Sequence, residues 1–386
     1  EELIELESTG FSCTKDDHSE ECVITKPITL QSQTIYLKSN AQKSNPIINT
    51  TVRPYARREN EYCMNKLVSA IKIFREKPEK IDPLICEITH NVPAIIFSSG
   101  GYSYNYFHAI NDVIIPLFIT SVNFRCRVKF VISDYNATLV NKYEQILKRL
   151  SCYEFIDATL NDAVHCFPSA VVGLRYHDNL AVNGSKIPGG YTIKSFRQFL
   201  REAYKLKRTI TFKPKRPKLL LLSRQNSRKF QKEDERVNMM IKLGFKVHKS
   251  SPNKTSNLKK FAQLINLCAI IVGAHGAGLT NQIFLPNGSV VIQIRPMGLE
   301  WQSKEYFEKP AIKMGFKYIE YKVEPNETSL YDLYGPNDPV IYNPALIWAK
   351  GWVAIEPIYV NQQNFNINLT RSTLVEALHH FRFSFS

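Results

Sequence analysis

Short apolar runs alternate with amphipathic segments of helical length through the second half of the chain. Runs that are apolar throughout are typical of strands buried on both faces of a parallel sheet. The predicted strands are 218–222, 245–248, 269–272 and 289–294, and the predicted helices are 233–243, 257–266 and 278–284. This alternation predicts a doubly wound α/β domain.

The first half shows the same alternation more weakly. The predicted strands are 94–98, 128–133 and 170–173, and the predicted helices are 104–120, 143–150 and 195–206. Residues 1 to about 60 are polar and predict a lead-in of a few strands and loops, one of them at 33–37. A basic, proline-containing stretch at 213–218 predicts a domain boundary, which gives domains 1–212 and 213–386.

The charge balance restricts the class of partner. The chain of 386 residues has 50 Lys and Arg against 35 Asp and Glu, a formal net charge of +15. Such a surplus favours phosphate groups or polyanions as ligands. The basic residues are scattered along the chain, which argues against a nucleic-acid binder. A composition with 44% hydrophobic residues excludes intrinsic disorder.

Sequons and cysteines indicate a secretory compartment. Seven Asn-X-Ser/Thr sequons exceed the two or three expected by chance, at Asn49, Asn136, Asn183, Asn253, Asn287, Asn326 and Asn368. The eight cysteines include no CxxC pair and no zinc-type Cys/His spacing, so structural zinc is not expected. We expect disulfides, with Cys13–Cys22 as the best single pair, and Cys268 as a buried free thiol.

A glycine-rich turn, GAHGAG at 273–278, follows the predicted strand 269–272. Backbone N–H groups in such a turn can approach an oxyanion closely, and a helix N-terminus adds a favourable dipole. We expect Gly276, Ala277 and Gly278 to bind a pyrophosphate, with His275 as a donor. Asn281 replaces the last glycine of a GxGxxG pattern and belongs to the same candidate site. The alternative is a tight turn with a structural histidine.

A basic segment follows the apolar strand 218–222. It brings Ser223, Arg224 and Arg228 to the carboxyl end of the strand, where open α/β sheets bind ligands. Arginines in this position can hold phosphate groups bidentately. The alternative is a solvated basic loop.

His108 and Asp112 are the third candidate pair. They stand four residues apart in a segment that is predicted to turn at Gly100 and continue as a helix, so they share a helix face. Such a pair can provide a general base, either directly from the carboxylate or from an oriented histidine. The alternative is an ordinary polar pair that stabilises a helix.

Taken together, these segments resemble the plant-type glycosyltransferases of family 61, whose members decorate xylan in the Golgi. The resemblance extends from about residue 13 to the end of the chain. It rests on five ordered segments: RPYAR at 53–57, GGYSYNYFHAINDVIIPLFIT at 100–120, LLLLSRQNSRKF at 219–230, 272–294, and the tail with Trp301, Glu327, Tyr331 and Arg371.

The resemblance implies two Rossmann-like domains facing a cleft, the GT-B arrangement, with a UDP-sugar held mainly by the C-terminal domain. It also implies an inverting reaction without a metal or other cofactor, and it adds Glu327 to the donor site. The chain has no DxD triplet, which agrees with this expectation. Asp112 is favoured as the base or as the residue that orients His108, and His108 is the alternative base. Family members often have an acidic residue where this chain has Ala109.

The expected function is transfer of a pentose, with xylose favoured and arabinofuranose next, to a backbone hydroxyl of xylan in the Golgi lumen. Contact with a membrane is expected only through an anchor upstream of Glu1, and the C-terminal tail helix is expected to pack back toward the first domain. The alternative function is a catalytically silent carbohydrate-binding protein on the same fold, and Ala109 is its best argument.

Overall fold

The chain forms two compact units, Glu1–Thr192 and Ile193–Ser386. The computed structural model describes residues 6–7, 9–37, 49–75, 84–210, 216–250, 257–367 and 371–383. The second unit begins with the helix Ile193–Tyr204, ahead of the boundary expected at 212/213. Arg197 explains this division, because it is 1% exposed and donates from Nε to the backbone oxygen of Ile283 in the second unit.

The strands of the first unit form two six-stranded mixed sheets. Their bounds are β1 Phe11–Lys15, β2 Glu20–Ile24, β3 Ile28–Gln31, β4 Thr34–Leu37, β5 Asn49–Val52, β6 Ile71–Arg75, β7 Ile88–Thr89, β8 Ala94–Ser98, β9 Lys129–Ser133, β10 Ile156–Asp157, β11 His165–Phe167 and β12 Ala170–Gly173. The sheet orders are β1-β2-β12-β8-β9-β10 and β5-β6-β4-β3-β11-β7.

Only part of the first sheet has the predicted Rossmann-like arrangement. β12, β8, β9 and β10 pair in parallel, whereas β1 and β2 add an antiparallel edge. The first 60 residues supply strands to both sheets, and β4 lies where the sequence predicts a strand at 33–37. These early strands carry buried apolar side chains such as Ile24, Ile28 and Ile35, which join one core with Ile96 and Val131.

Helices and short helical turns lie between and after the strands of the first unit. Their bounds are Glu61–Leu67, Tyr106–His108, Ala109–Ile114 (a π-helical segment), Ile115–Ser121, Val122–Phe124 (3-10), Ala137–Leu150 and Gly184–Lys186 (3-10). The continuous run Tyr106–Phe124 is long and apolar enough to cross a bilayer, and most of it is buried inside the protein. The predicted helix 143–150 starts earlier, because Asn136 caps it by accepting from the amide of Leu139 at 3.1 Å.

Three disulfides cross-link the first unit. Cys13–Cys22 joins opposite residues of β1 and β2, which confirms the predicted pair. The other two are Cys86–Cys166 and Cys126–Cys152. Cys268 is a buried free thiol as predicted, and Cys63 is another.

A five-stranded parallel sheet forms the centre of the second unit. Its strands are β13 Lys218–Leu222, β14 Lys246–Ser250, β15 Ile270–Ala274, β16 Val290–Arg295 and β17 Lys317–Lys322. The order β14-β13-β15-β16-β17 corresponds to 2-1-3-4-5 in chain order, a doubly wound order with its switch point between β13 and β15. The carboxyl ends of these two strands therefore lead into both candidate donor segments.

Helices and short turns surround this sheet. Their bounds are Ile193–Tyr204, Glu233–Lys242, Leu258–Asn266, Ala277–Phe284 (3-10), Glu300–Ser303, Lys304–Glu308 (π), Lys309–Lys313, Pro325–Glu327 (3-10), Ser329–Tyr334, Pro339–Tyr342, Pro344–Trp348, Trp352–Ile355, Glu356–Gln362 (π) and Arg371–Phe383. The tail helix Arg371–Phe383 packs Leu374 and Ala377 into the core of this sheet. That it also packs back toward the first unit stays a prediction.

Candidate active site

The segment that carries His108 leaves β8 through a tight glycine turn. Gly101 has a φ of +60°, and a Cβ there would lie 2.6 Å from Cζ of Tyr55. Glycine is therefore required both by the backbone conformation and by the close approach of the tyrosine ring. Asn105 then caps the helix, since its side chain accepts from the amide of Phe107 at 2.9 Å. The turn fixes the direction in which the helix begins.

Asp112 lies in a π-helical segment of this helix. The segment Ala109–Ile114 is buried throughout, and the amide of Ile115 donates to the oxygen of Ile110, five residues back. π-helical segments are rare and are frequent at functional sites. The side chain of Asp112 is fully buried, which is exceptional for a carboxylate unless several donors surround it.

Four donors surround the carboxylate of Asp112. Oδ2 accepts from the Tyr55 hydroxyl at 3.1 Å and lies 2.8 Å from Nδ1 of His108. Oδ1 accepts from Nδ2 of Asn111 at 2.8 Å and from Nη1 of Arg57 at 3.5 Å. Because the other three partners can only donate to an ionised carboxylate, Nδ1 of His108 carries the proton in its own hydrogen bond to Asp112.

His108 therefore has its lone pair on Nε2. This nitrogen has no hydrogen-bond partner in the part of the chain that the structure describes, and the side chain of His108 is 20% exposed. The ring of Tyr102 lies 5.3 Å from the imidazole and tilted against it. A carboxylate-oriented imidazole with an open Nε2 is the arrangement that general-base catalysis requires.

A second layer of hydrogen bonds holds Asn111. Its Oδ1 accepts from the amide of Leu180 at 2.7 Å, and its Nδ2 also lies 3.4 Å from the hydroxyl of Tyr176. Burial raises the pKa of Tyr176, and burial with the charge of Asp112 raises the pKa of Tyr55 well above 10. Both phenols therefore stay protonated, which keeps the Tyr55 hydroxyl available as a donor to Asp112.

In the second unit, Arg224 and Arg228 converge on the glycine turn after β15. Gly276 has a φ of +142°, and a Cβ at this position would lie 2.5 Å from Nη1 of Arg224 and 3.2 Å from Nη1 of Arg228. Nη1 of Arg228 donates to the backbone oxygen of His275 at 2.8 Å, and Nε of Arg224 donates to that of Ser227 at 2.8 Å. The two predicted segments thus meet at one place.

These two arginines are positive charges with little access to water: Arg228 is buried and Arg224 is partly buried. Burial lowers the pKa of Arg224, and burial together with the charge of Arg224 lowers the pKa of Arg228 to about 9. In the described part of the chain neither guanidinium has a carboxylate within ion-pair distance. Two neighbouring cations of this kind, one buried and one partly buried, are costly without a counter-charge and favour an anion as the ligand. The adjoining 3-10 helix begins at Ala277, so its first amides have no intrahelical acceptor.

His275 is a neutral hydrogen-bond donor beside this turn. Burial and the charges of Arg228 and Arg224 lower its pKa well below 6.5. Nε2 of Gln293 lies 3.1 Å from Nδ1 of His275, and the other end of the same amide accepts from the hydroxyl of Tyr318 at 2.9 Å. This orientation of the amide makes Nδ1 the acceptor, so the proton of His275 is on Nε2.

Three further residues that the sequence predicts to bind the UDP-sugar already have hydrogen-bond partners within the protein. The hydroxyl of Ser223 donates to the carboxylate of Glu233 at 2.7 Å, and Nδ2 of Asn281 donates to the oxygen of Gly278 at 2.9 Å. Glu327 accepts from the hydroxyl of Tyr321 at 2.5 Å and closes a capping box with the amide of Glu324. The bonds of Ser223 and Asn281 order the segments that carry the arginines and the glycine turn.

Comparison with known proteins gives the family. A model of the family described as Glycosyltransferase 61 matches residues 106–292, which include both His108 and Gly276. The xylan glycosyltransferase MUCI21 of Arabidopsis thaliana is 36% identical over 396 residues, covering 96% of this chain and 78% of that protein. The chain belongs to glycosyltransferase family 61. The resemblance of the sequence segments is thereby confirmed.

Family 61 relatives from Oryza sativa subsp. japonica are named for two different pentoses. The alpha-1,3-arabinosyltransferase XAT3 is 37% identical over 336 residues, covering 85% of this chain and 57% of that protein. The beta-1,2-xylosyltransferase XYXT1 is 32% identical over 340 residues, covering 86% of this chain and 72% of that protein. The chain thus spans little more than half the length of XAT3.

A solved structure of the heptosyltransferase TibC in complex with ADP-D-beta-D-heptose covers 97% of this chain and 96% of its own chain, at 10% identity and a TM-score of 0.35. At that score the likeness supports no conclusion about the fold or the ligand.

In this family 61 chain, the structure adds four site residues to those inferred from the sequence. Tyr55, Arg57 and Asn111 contact Asp112, and Tyr176 lies next to Asn111. Two of them belong to the RPYAR segment, which the sequence marks as part of the family pattern without a role. Their function depends on a contact across more than 50 residues of chain, which no local spacing encodes.

Proposed function

We propose that this chain is an inverting glycosyltransferase that moves a pentose, xylose in preference to arabinofuranose, from a UDP-sugar to a backbone hydroxyl of xylan. The observation that carries the proposal is the buried, fully hydrogen-bonded carboxylate of Asp112, which leaves Nε2 of His108 open. The names of the relatives support a pentose donor and a xylan acceptor.

The base in this proposal is His108, and Asp112 orients it. Asp112 is 0% exposed and its oxygens already accept from several donors, so it has no route to a substrate hydroxyl. In the reaction, Nε2 of His108 takes the proton of the acceptor hydroxyl while that oxygen forms a bond to the anomeric carbon. The bond from this carbon to UDP breaks, and the carboxylate of Asp112 stabilises the imidazolium.

The departing UDP needs fixed positive charge and hydrogen-bond donors. Arg224, Arg228 and the first amides after Gly276 supply them in the proposal, and Nε2 of His275 adds a neutral donor. No divalent ion is needed when two guanidinium groups neutralise the phosphates. We therefore expect turnover to survive an excess of EDTA, and complete loss that manganese restores would overturn this part of the proposal.

The proposal assigns the base to the first unit and the donor ligands to the second. This division of roles is that of the GT-B arrangement which the resemblance implies. The parallel sheet of the second unit supports it, because its switch point leads into both Arg224 and the glycine turn.

We place the protein in the Golgi lumen, with a membrane anchor upstream of Glu1. Three disulfides support an oxidising compartment. The sequon asparagines that the structure describes are all at exposed positions, which agrees with glycan attachment: Asn49, Asn136, Asn183, Asn287 and Asn326. Asn253 and Asn368 lie outside the described residues. Protein from a secretory host that loses no mass on deglycosylation would contradict this assignment.

The alternative is a catalytically silent carbohydrate-binding protein, for which Ala109 is the argument. Ala109 is 1% exposed and lies in the buried π-helical segment, so an acidic side chain there would lie in the core and not beside Nε2 of His108. The proposed chemistry needs His108 and Asp112, and this pair is complete without an acidic residue at position 109.

A donor panel separates these functions. UDP-xylose, UDP-arabinofuranose and UDP-glucose are each offered with xylo-oligosaccharides, and products are identified by mass and linkage. Transfer of a pentose with inversion supports the proposal. Binding of the oligosaccharide without consumption of any donor would establish the silent carbohydrate-binding protein instead.

A further inference from the structure

The segment before His108 carries three alternating tyrosines that the proposed reaction does not use: Tyr102, Tyr104 and Tyr106. Two of the three rings are covered within the protein. The ring of Tyr102 packs against the imidazole of His108, and the ammonium group of Lys142 lies 4.8 Å from the ring centroid of Tyr106. Tyr104 differs from both, because it is 80% exposed.

Tyr102 is held by the same hydrogen bonds that hold the catalytic pair. Its amide donates to the hydroxyl of Tyr55 at 3.2 Å, and that hydroxyl in turn donates to Asp112. The hydroxyl of Tyr102 donates to Oδ1 of Asn60 at 3.3 Å. The backbone and the ring of Tyr102 are therefore both fixed beside the imidazole of His108.

Tyr104 extends this aromatic surface toward solvent. Its ring stands edge-to-face with that of Tyr102, with centroids 6.4 Å apart and planes at 83°. Because the ring of Tyr102 is 5.3 Å from the imidazole of His108, the ring of Tyr104 lies less than 12 Å from that imidazole. Hydrogen bonds order the chain on both sides, since the hydroxyl of Ser103 donates to the oxygen of Ser99 and the amide of Asn105 donates to that of Tyr102. An ordered turn thus presents a large, exposed ring close to the base.

The exposed ring defines the chemistry of its ligand. The face of an aromatic ring is negative and its edge is positive, so the face attracts C–H groups and repels anions. A pyranose offers C–H groups on both faces of its ring and keeps its hydroxyls at the rim. A xylopyranose has no exocyclic carbon, which leaves its faces flat enough to stack on a phenol ring. The ring of Tyr104 therefore fits a neutral sugar residue.

We propose that Tyr104 is the stacking platform for a sugar residue of the acceptor chain, close to the residue that reacts. This inference rests on the proposed function, because the reacting hydroxyl must come within hydrogen-bond distance of Nε2 of His108. An acceptor held there reaches the ring of Tyr104 over less than 12 Å, which a few sugar residues span. Stacking at Tyr104 strengthens binding of the acceptor and takes no part in the proton transfer.

The test uses the whole chain and two variants of Tyr104. Tyr104→Ala removes the ring at an exposed position, so folding is not at risk, and Tyr104→Phe keeps the ring and removes only the hydroxyl. Tyr342→Ala is the matched control, because this tyrosine of the second unit is 61% exposed. Calorimetric titration with xylohexaose, with and without UDP, measures binding directly. We expect Tyr104→Ala to raise the Kd about three- to tenfold, as the loss of one aromatic contact predicts, and Tyr104→Phe to leave it close to the original value.

Kinetics separate this inference from the proposed function. We expect Tyr104→Ala to raise the KM for xylohexaose by the same factor as its Kd, while the Kd for UDP does not change. If Tyr104→Ala weakens binding no more than Tyr342→Ala does, or if Tyr104→Phe weakens it equally, stacking at Tyr104 is overturned and the transferase proposal stands. Binding of xylohexaose that Tyr104→Ala weakens, in a protein that transfers no sugar, would overturn the transferase and keep the stacking platform.

Discussion

Nδ1 of His108 lies 2.8 Å from Oδ2 of Asp112, and the carboxylate is fully buried. The lone pair on Nε2 then has no partner within the described part of the chain. We expect His108→Ala to lower kcat by about 10² to 10⁴, the usual cost of removing a general base. The Kd for UDP should not change, because His108 handles a proton and no phosphate.

The companion variant Asp112→Asn should lower kcat to a similar degree, since an amide no longer holds the proton on Nδ1. Glu144→Gln is the control, because it removes a carboxylate from the exposed pair with Lys148, also four residues apart on a helix. Near-normal turnover in both site variants would show that this pair only stabilises the helix.

Tyr55→Phe tests the positioning of Asp112. The variant removes the hydroxyl that donates to Oδ2 at 3.1 Å and keeps the ring against Gly101. One lost hydrogen bond to a charged group costs about 1.5 to 3 kcal/mol. We expect kcat to fall by about tenfold or more with KM nearly unchanged, and the pH profile of kcat to shift. Tyr62→Phe, at an exposed position, should change neither.

The glycine turn offers a matched pair of substitutions. Gly276→Ala requires an unusual φ of +142° and puts Cβ 2.5 Å from Nη1 of Arg224. At Gly278 the nearest atom to an added Cβ is Cδ1 of Leu222 at 3.5 Å. We expect Gly276→Ala to cost about 1 to 3 kcal/mol of stability and to weaken UDP binding, and Gly278→Ala to cost less. Equal effects of the two substitutions on the Kd for UDP would contradict binding of the phosphates at Gly276.

Arg224→Ala should weaken UDP binding by about 10- to 150-fold, the equivalent of one or two charge-assisted hydrogen bonds. Arg216→Ala is the control, since Arg216 is exposed and precedes the same strand. Calorimetry with UDP at two salt concentrations measures the effect. If Arg224→Ala changes the Kd for UDP no more than Arg216→Ala does, the phosphates bind elsewhere.

The free energy of unfolding should fall in mild acid, as the pH drops below about 6.5. Burial lowers the pKa of His275 well below 6.5 and that of His90 to about 4. Histidines of the unfolded chain titrate near 6.5. Below this pH the unfolded chain binds protons that the folded chain does not, so the free energy of unfolding decreases, and the contribution of His90 levels off below about pH 4.

Urea unfolding between pH 7.5 and 5 measures this decrease. The variant His90→Gln should show a shallower dependence on pH than the original chain. An identical slope would mean that His90 takes up its proton at the same pH in the folded and in the unfolded chain.

The second unit could be predicted well from its sequence, because its strands are local and apolar throughout. The run 218–222 is a strand with the predicted bounds, and the basic residues that follow it converge with the glycine turn. The reason is that the carboxyl ends of neighbouring parallel strands lie at one edge of the sheet.

The first unit could be predicted only in part. Its antiparallel pairs join residues far apart in the chain, such as Phe167 with Ile28, and polar alternation gives no sign of the partner. The candidate site could also be predicted only in part. Asp112 could be found from its spacing to His108, whereas Arg57 reaches it through a contact between distant parts of the chain. The role of Ser223 as a ligand is inferred from its position after a strand, and that of Glu327 from the family resemblance. Their bonds inside the protein depend on loop geometry that neither argument gives.

The π-helical segment Ala109–Ile114 contains one residue more than an α-helical path would need. Deleting a residue there would let the helix close its ordinary hydrogen-bond ladder, and the chain on one side would rotate by about 100° relative to the other. A deletion ahead of Asp112 would then turn its carboxylate away from Tyr55 and Arg57. A regular helix would be the more stable structure, but it would lose the geometry of the catalytic site. In this helix, selection for greater stability therefore conflicts with retention of catalysis.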